Sequence, residues 1–295
     1  RVGWPNGSGC PPAVLVMNTV CIGKHTLGSG HQPLLVAELS GNHDQQIEKA
    51  KALISAAAEA GAQAVKLQTY TADTLTLPVR NERFRVDGGL WDGRYLYDLY
   101  QKAMTPWEWH PELKEYAESL GLLLFSTPFD ESAVDFLESE LDPPCHKISS
   151  FELNHIPLLR HVAQTGKPVI LSTGMADTSE ITKAVDTLRE YGSGEIILLK
   201  CVSSYPADPA DFNLRAMHTL QEQYRTPVGL SDHSRSHEIA LGAVALGACL
   251  IEKHLVLDRT EGGVDAGFSL EPNEFREMAD GVARLHAGLG KGELT

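Results

Sequence analysis

The chain has 295 residues, 42% of them hydrophobic, which is enough apolar material for a large core. Its net charge of −14 (39 acidic against 25 basic residues) opposes the phosphate neutralisation that non-specific nucleic-acid binding requires, while a small anionic substrate in a local cationic pocket stays compatible with it. Five scattered cysteines (Cys10, Cys21, Cys145, Cys201, Cys249) without a CxxC pair exclude a zinc ribbon or a disulfide framework and fit a reducing, cytoplasmic setting, and the longest apolar run, 239–251, falls short of the ~18 residues expected of a membrane span.

Residues 1–19 read as an irregular, turn-rich tail, with no basic flank or apolar stretch long enough for a signal peptide. The stretch "VCIGKHTLGSGHQP" (20–33) has the short β-run and Gly-rich turn of a hairpin, placed to plug the floor of whatever follows. From Leu34 onward a short apolar run and a helical pattern alternate. The runs are 34–39, 64–70, 122–129, 145–150, 168–174, 196–205, 227–232 and 250–257. Their near-continuous hydrophobicity is what strands buried on both faces need. Amphipathic helices are expected at 47–61, 106–121, 131–141, 156–166, 179–192, 214–224, 237–248 and 273–290, several of them ending in the Gly typical of a helix C-terminus.

Eight βα units in series predict a closed TIM barrel, with residues 20–295 as one domain that includes the hairpin. An open doubly wound sheet is the competing architecture, but it calls for a glycine-rich phosphate loop after the first strand, and "SGNHDQQ" is not one. No GxxxxGK[ST] and no helix-opening GxGxxG occurs anywhere, so nucleotide binding has no support. The connection after the second barrel strand is long for a βα unit. It is expected to serve the site and to supply Arg80, Arg83, Arg85, Trp91 and Tyr95.

TIM-barrel chemistry sits at the C-terminal strand ends. Those ends carry Glu38 with Asn42 and His43; Lys66 and Gln68; Ser126, Thr127 and Phe129; Lys147, Ser150 and Glu152. The second half carries Ser172 and Thr173; Ser203 and Tyr205; Asp232 and His233; Glu252 and His254. Each has an ordinary alternative. Asp232 or Ser234 can cap the helix starting near His237, and Lys66 or Lys147 can form a structural ion pair with Glu38 or Glu152. Such coincidences on all eight ends of one rim are not expected of a bare scaffold. Two lysines and several hydroxyls suit an anion such as a carboxylate or phosphate. The two imidazoles with nearby oxygen ligands suit Mn²⁺ or a similar divalent ion rather than a closed zinc site. Glu38 and Glu152 are candidates for acid–base work, and a Schiff base on one lysine is the rival chemistry.

The segments "VAELSGNH", "GAQAVKLQTY", "FSTPFDESAVDFLE", "KISSFEL", "GKPVILSTGM", "CVSSYPA", "GLSDHS", "IEKHLVLDR" and "FSLEPNEF" resemble the sialic acid synthase family. Those enzymes condense phosphoenolpyruvate with an N-acylated amino sugar to make nine-carbon 2-keto acids. Within the family, "LWDGRYLYDLYQKAMTPWEWH" and "GGVDAGFSLEP" are similar to the branch that makes pseudaminate from 2,4-diacetamido-2,4,6-trideoxy-L-altrose. Synthases for N-acetylneuraminate or legionaminate are the alternatives, and a non-catalytic sugar-phosphate-binding barrel is a more distant one. N-acetylneuraminate synthases carry a histidine where this chain has Ala266 and often Asn where it has Ser203.

Position by position, the resemblance implies that His233 and His254 bind a divalent metal, Mn²⁺ first and Mg²⁺ or Co²⁺ next. It implies that Lys66, Gln68, Lys147, Ser150, Ser172 and Ser231 hold phosphoenolpyruvate with Thr127 beside them, and that Glu38, Tyr205 and Asp265 face the sugar. Phe129 and Ser203 join the substrate-binding set. Glu38, Lys147 and Glu152 form the catalytic set, with Glu152 handling the water proton. The resemblance further implies a homodimer. Family members carry a small antifreeze-like domain after the barrel, and this chain, ending at "GKGELT", is expected to lack it.

Overall fold

The computed structural model describes residues 19–290, so the tail expected over 1–19 lies outside the described residues except for Thr19. Two short antiparallel strands open the fold, β1 (Val20–Ile22) and β2 (His25–Leu27), joined by a turn at Gly23. Eight parallel strands then close into a barrel in chain order. They are β3 (Leu34–Glu38), β4 (Ala64–Thr69), β5 (Leu123–Pro128), β6 (His146–Ile148), β7 (Val169–Ser172), β8 (Ile196–Cys201), β9 (Val228–Asp232) and β10 (Leu250–His254), and β10 pairs back onto β3. This is the expected TIM barrel, each strand lying inside its expected run.

The helices that cover the barrel are α1 (Ile47–Glu59), α4 (His110–Ser119), α5 (Glu131–Glu140), α6 (Ile156–Gln164), α7 (Thr178–Tyr191), α8 (Ala216–Tyr224), α9 (Glu238–Ala245) and α10 (Pro272–Leu289). Two further helices, α2 (Ala72–Leu75) and α3 (Leu96–Ala103), lie in the long connection after β4 and were not expected. The helix expected over 106–121 begins later. A 3₁₀ turn over Trp107–Trp109 precedes it, and Pro111, which has no N–H to give, stands in the first turn of α4.

Successive residues of a strand face opposite sides. Leu34 and Val36 point inward and join Ala64, Phe125, Ile170, Ile197, Leu199 and Leu250 in an inner core, while Leu35 and Ala37 point outward against the helices. Val20, Ile22 and Leu27 of the hairpin belong to the inner core too, so the hairpin does plug the barrel floor. The inward parity then continues up each strand into polar residues: Glu38 above Val36, Lys66 and Gln68 above Ala64, Thr127 above Phe125, Ser172 above Ile170, Cys201 above Leu199, and Glu252 and His254 above Leu250. The side chains that seal the bottom of the barrel and those that build its mouth therefore lie on one face of the same strands.

Candidate active site

A cavity of about 480 Å³ opens at the C-terminal mouth of the barrel. Of the residues singled out from the sequence, Lys66, Gln68, Phe129, Lys147, Ser150, Glu152, Ser172, Tyr205, Ser231, His233, His254 and Asp265 line it. Glu38, Thr127 and Ser203 do not.

Glu38 is fully buried. Its Oε1 accepts the Ser40 N–H at 3.0 Å and the Gln68 amide at 3.1 Å, and its Oε2 pairs closely with Lys66. Burial pushes its carboxyl up in pKa, against the pull of Lys66. In this arrangement Glu38 anchors Lys66 and Gln68. Thr127 is also behind the surface, accepting a hydrogen bond from Lys66 Nζ at 3.0 Å. Ser203 packs against Gly174, where an added Cβ would come 2.5 Å from Ser203 Oγ and 3.0 Å from Ser150 Oγ. Ser150 Oγ accepts the Gly174 N–H at 3.1 Å, tying the turn after β6 to the turn after β7.

Of the structural ion pairs that stood as the ordinary alternative, Lys66 with Glu38 is present, while Lys147 meets Glu252 rather than Glu152. The carboxylate between the two lysines is Glu252, with Oε1 3.8 Å from Lys66 Nζ and 3.5 Å from Lys147 Nζ, and it accepts Ser231 Oγ at 3.3 Å. Both lysine contacts are long for a charged hydrogen bond, which leaves room for an anionic ligand to compete. Burial works against the charge of Lys66, but Glu252 and Glu38 outweigh it and hold the ammonium protonated. Burial dominates at Lys147 and pulls it down, with Glu252 opposing. Glu152 forms no ion pair with either lysine. It takes a close hydrogen bond from Ser149, and burial raises its carboxyl to about 7, with Lys147 pulling the other way.

His233 and His254 face each other from β9 and β10, with ring centroids 5.3 Å apart. Tyr205 packs on His233 at 4.5 Å, and Phe268 on His254 at 4.8 Å. Nδ1 of His233 lies 2.9 Å from the Val202 carbonyl, and a donor at that nitrogen leaves the Nε2 lone pair available. His254 Nδ1 and Glu252 Oε2 are buried with no hydrogen-bond partner, and Asp265 Oδ2 lies 3.7 Å from that Nδ1. Such orphaned buried atoms call for an occupant, so the donor set fits a divalent cation. Among the described residues no group of three or more His, Cys, Asp or Glu side chains is arranged to hold a metal ion. A cation held by the two imidazoles would therefore need water or substrate for its remaining positions.

Asp232 does not take up the capping alternative. It is buried against Lys253 at 2.8 Å and accepts the Ser234 N–H at 2.7 Å, while α9 starts at Glu238 after His237 with no side-chain cap. His43 turns away from the cavity to Thr105 and to the Trp109 ring. Asn42 accepts the Asp265 N–H at 3.1 Å and so places Asp265.

The long connection contributes differently from expectation. Arg80 pairs with Asp98 on the surface, Arg83 and Arg85 are exposed, and Tyr95 forms a backbone bridge with Arg85. None of the four lines the cavity; Trp91 does, with Leu75, Val86, Leu96, Leu99 and Tyr100. Sequence reasoning noted Glu252 at its strand end without giving it a role. It passed over Cys201, whose Sγ lies 3.9 Å from His233 Nδ1; burial resists its ionisation, yet His233 draws the thiol down to about 7.

Comparison with known proteins agrees with this geometry. The NeuB family model matches residues 53–294. The pseudaminic acid synthase of Campylobacter jejuni is 45% identical over 260 residues, covering 88% of this chain and 76% of that protein. That of Helicobacter pylori is 43% identical over 261 residues, with the same 88% and 76% coverage. Among solved structures, the N-acetylneuraminic acid synthetase of Leptospira borgpetersenii superposes with a TM-score of 0.85 at 35% identity, over 95% of this chain and 92% of that one. Eight polar strand ends on a plugged barrel, matched in sequence over most of their length, leave one assignment: the chain belongs to the NeuB family.

Proposed function

We propose that this protein is a pseudaminic acid synthase, condensing phosphoenolpyruvate with 2,4-diacetamido-2,4,6-trideoxy-L-altrose and water to give pseudaminate and phosphate. The observation that carries the reading is the joint presence, in one cavity, of Lys66, Lys147, Glu152 and the facing pair His233 and His254. The 45% identity to the Campylobacter jejuni enzyme supports the choice of sugar.

The reaction forms a bond between carbon 3 of phosphoenolpyruvate and the aldehyde carbon of the open-chain sugar. The aldehyde oxygen takes up a proton and becomes a hydroxyl. Carbon 2, left cationic, takes the oxygen of a water whose first proton goes to a base, and the resulting tetrahedral carbon expels phosphate by C–O cleavage, its hydroxyl proton leaving with the phosphate, to give the 2-keto group. Lys66 and Lys147 offset the charge of the carboxylate and phosphate, and groups fixed in advance against that charge spare the reorganisation water would need. Ser150, Ser172 and Ser231 offer hydroxyls to the same anion. Glu152, raised to about 7 by burial, is poised to accept the water proton near neutrality. A divalent cation bound by His233 and His254, Mn²⁺ by preference for imidazole with oxygen ligands, would supply Lewis acidity toward the aldehyde.

The same reading carries a homodimer acting in the cytoplasm; among the described residues no helix is long and apolar enough to cross a membrane. The test is phosphate release from phosphoenolpyruvate against a panel of the diacetamido-trideoxy hexoses and N-acetylmannosamine, with and without Mn²⁺. The altrose isomer should give the highest kcat/KM, and release should stop on chelation. Preference for N-acetylmannosamine would overturn the assignment of the sugar. Light scattering of the purified chain checks the dimer.

A further inference from the structure

The cavity has two faces of opposite character. Its floor is charged, built from Lys66, Lys147, Glu252, His233 and His254. Its opposite side comes from the single connection between β4 and α4, through Leu75, Val86, Trp91, Leu96, Leu99 and Tyr100. This side is held in place. The Val86 N–H donates to the Arg94 carbonyl at 2.8 Å and the Gly93 N–H to the Val86 carbonyl at 2.9 Å, closing a loop with Trp91 inside it. The Trp91 indole N–H donates to the Val264 carbonyl at 2.7 Å, and its ring lies 5.7 Å from Tyr205. Leu99 and Ala103 bury α3 against the barrel.

The consequence is chemical. The one polar atom of the Trp91 side chain is already engaged, Leu75, Val86, Leu96 and Leu99 have none, and only the Tyr100 phenol adds a polar atom to this side. A sugar hydroxyl pressed against this side loses water and gains few partners, whereas a methyl group gains from leaving water. With the anionic substrate held on the charged floor, the second substrate has to meet the apolar side.

Resting on the reading of the sugar given above, we infer that Val86 and Leu96 are specificity-determining residues: their side of the cavity takes the carbon-6 methyl and an acetamido methyl of the sugar and disfavours a carbon-6 hydroxyl. Trp91, tied to Val264, is the buttress that fixes the wall at its distance from the floor.

The test compares kcat/KM for 2,4-diacetamido-2,4,6-trideoxy-L-altrose and for its 6-hydroxy counterpart. The unmodified protein should favour the deoxy sugar by roughly 10–100-fold, the range an apolar pocket reaches against an added hydroxyl. Val86→Thr adds a hydroxyl at nearly constant volume, and Leu96→Gln keeps α3 helical. Both should shrink that preference several-fold through the KM of the deoxy sugar, with the KM for phosphoenolpyruvate unchanged. A preference unaltered in both variants, or an equal loss for both sugars, would overturn the inference while leaving the proposed function standing. If the unmodified protein instead takes N-acetylmannosamine and neither altrose, the proposed function falls. The wall is then judged on N-acetylmannosamine against its 6-deoxy analogue: a deoxy preference that Val86→Thr erodes supports it, and equal use overturns it.

Discussion

Lys253 and Asp232 form an ion pair 2.8 Å long between adjacent strands, with both side chains fully buried. They are register partners in β10 and β9, and each immediately precedes a histidine of the site, His254 and His233 respectively. Being one residue out of phase with those histidines, the pair lies outside the barrel wall and beneath α9. The Lys253 ammonium also donates to the carbonyls of Ser234 and Ser236, at 2.6 and 2.9 Å, and so folds the turn that follows His233. The two imidazoles are thus fixed from behind by a salt bridge that never touches the cavity.

Breaking that pair from one side should be costly. Lys253→Met leaves Asp232 buried without a counter-charge, a loss of about 3–5 kcal/mol in comparable cases. Urea unfolding of the variant should show a drop of this order, and the double variant Asp232→Asn with Lys253→Met should recover part of it. A single variant as stable as the parent would show that the pair holds nothing in place.

The metal proposal predicts separable losses. His233→Ala and His254→Ala should each abolish Mn²⁺ binding in isothermal titration, with the far-ultraviolet circular dichroism unchanged, because both side chains face the cavity rather than the core. Activity should fall by more than the roughly 10–100-fold typical of residues that only orient a ligand. Normal Mn²⁺ affinity in either variant contradicts the paired-histidine site.

Much of the barrel was legible because its signal is local. A strand buried on both faces must be apolar throughout, so Lys66 and Lys147 stood out as charges inside strands. In the structure, period-two alternation puts Lys66 on one inner face with Glu38, Glu252 and His254. Which inward side chains stay behind their neighbours was not legible. Lys66 bonds to both Glu38 and Thr127, and Glu252 comes between the two lysines, an arrangement set by barrel closure rather than by any one strand. The wall around Trp91 was hidden for a different reason. Its arginines look functional in sequence, but the chain path that turns Val86 and Leu96 inward depends on tertiary contacts such as Trp91 with Val264.

Lys147 allows a direct test of the rival chemistry. Burial draws its ammonium down, which is what a Schiff-base lysine needs, but Glu252 at 3.5 Å favours the charged form. Borohydride added during turnover with phosphoenolpyruvate and sugar should leave the intact mass of the protein unchanged. An adduct mapped to Lys147 or Lys66 would replace the proposed mechanism with a covalent one.

Glu152 joins stability to activity. Its carboxyl is raised by burial from an ordinary 4.5 to about 7. A folded-state pKa above the unfolded one means that the native state prefers the protonated acid. The associated stability is complete below about 4.5 and is lost as pH rises through 7. The cost of holding the charge buried at pH 8 is on the order of 3 kcal/mol, from about 1.4 kcal/mol per pKa unit. Glu152→Gln removes that charge and should therefore be more stable than the parent at pH 8, by up to about that amount, with the difference vanishing near pH 4.5. As the acceptor of the water proton, the ionised Glu152 should also make kcat/KM of the parent rise with pH through about 7. Glu152→Gln should lose that limb and most of its kcat while keeping its affinity for phosphoenolpyruvate, the pattern of an interaction made mainly in the transition state. Urea unfolding at pH 5 and pH 8, together with the pH profile of phosphate release, checks both halves. A variant less stable than the parent at pH 8, or one that keeps the limb near 7, would remove Glu152 from the proposed role.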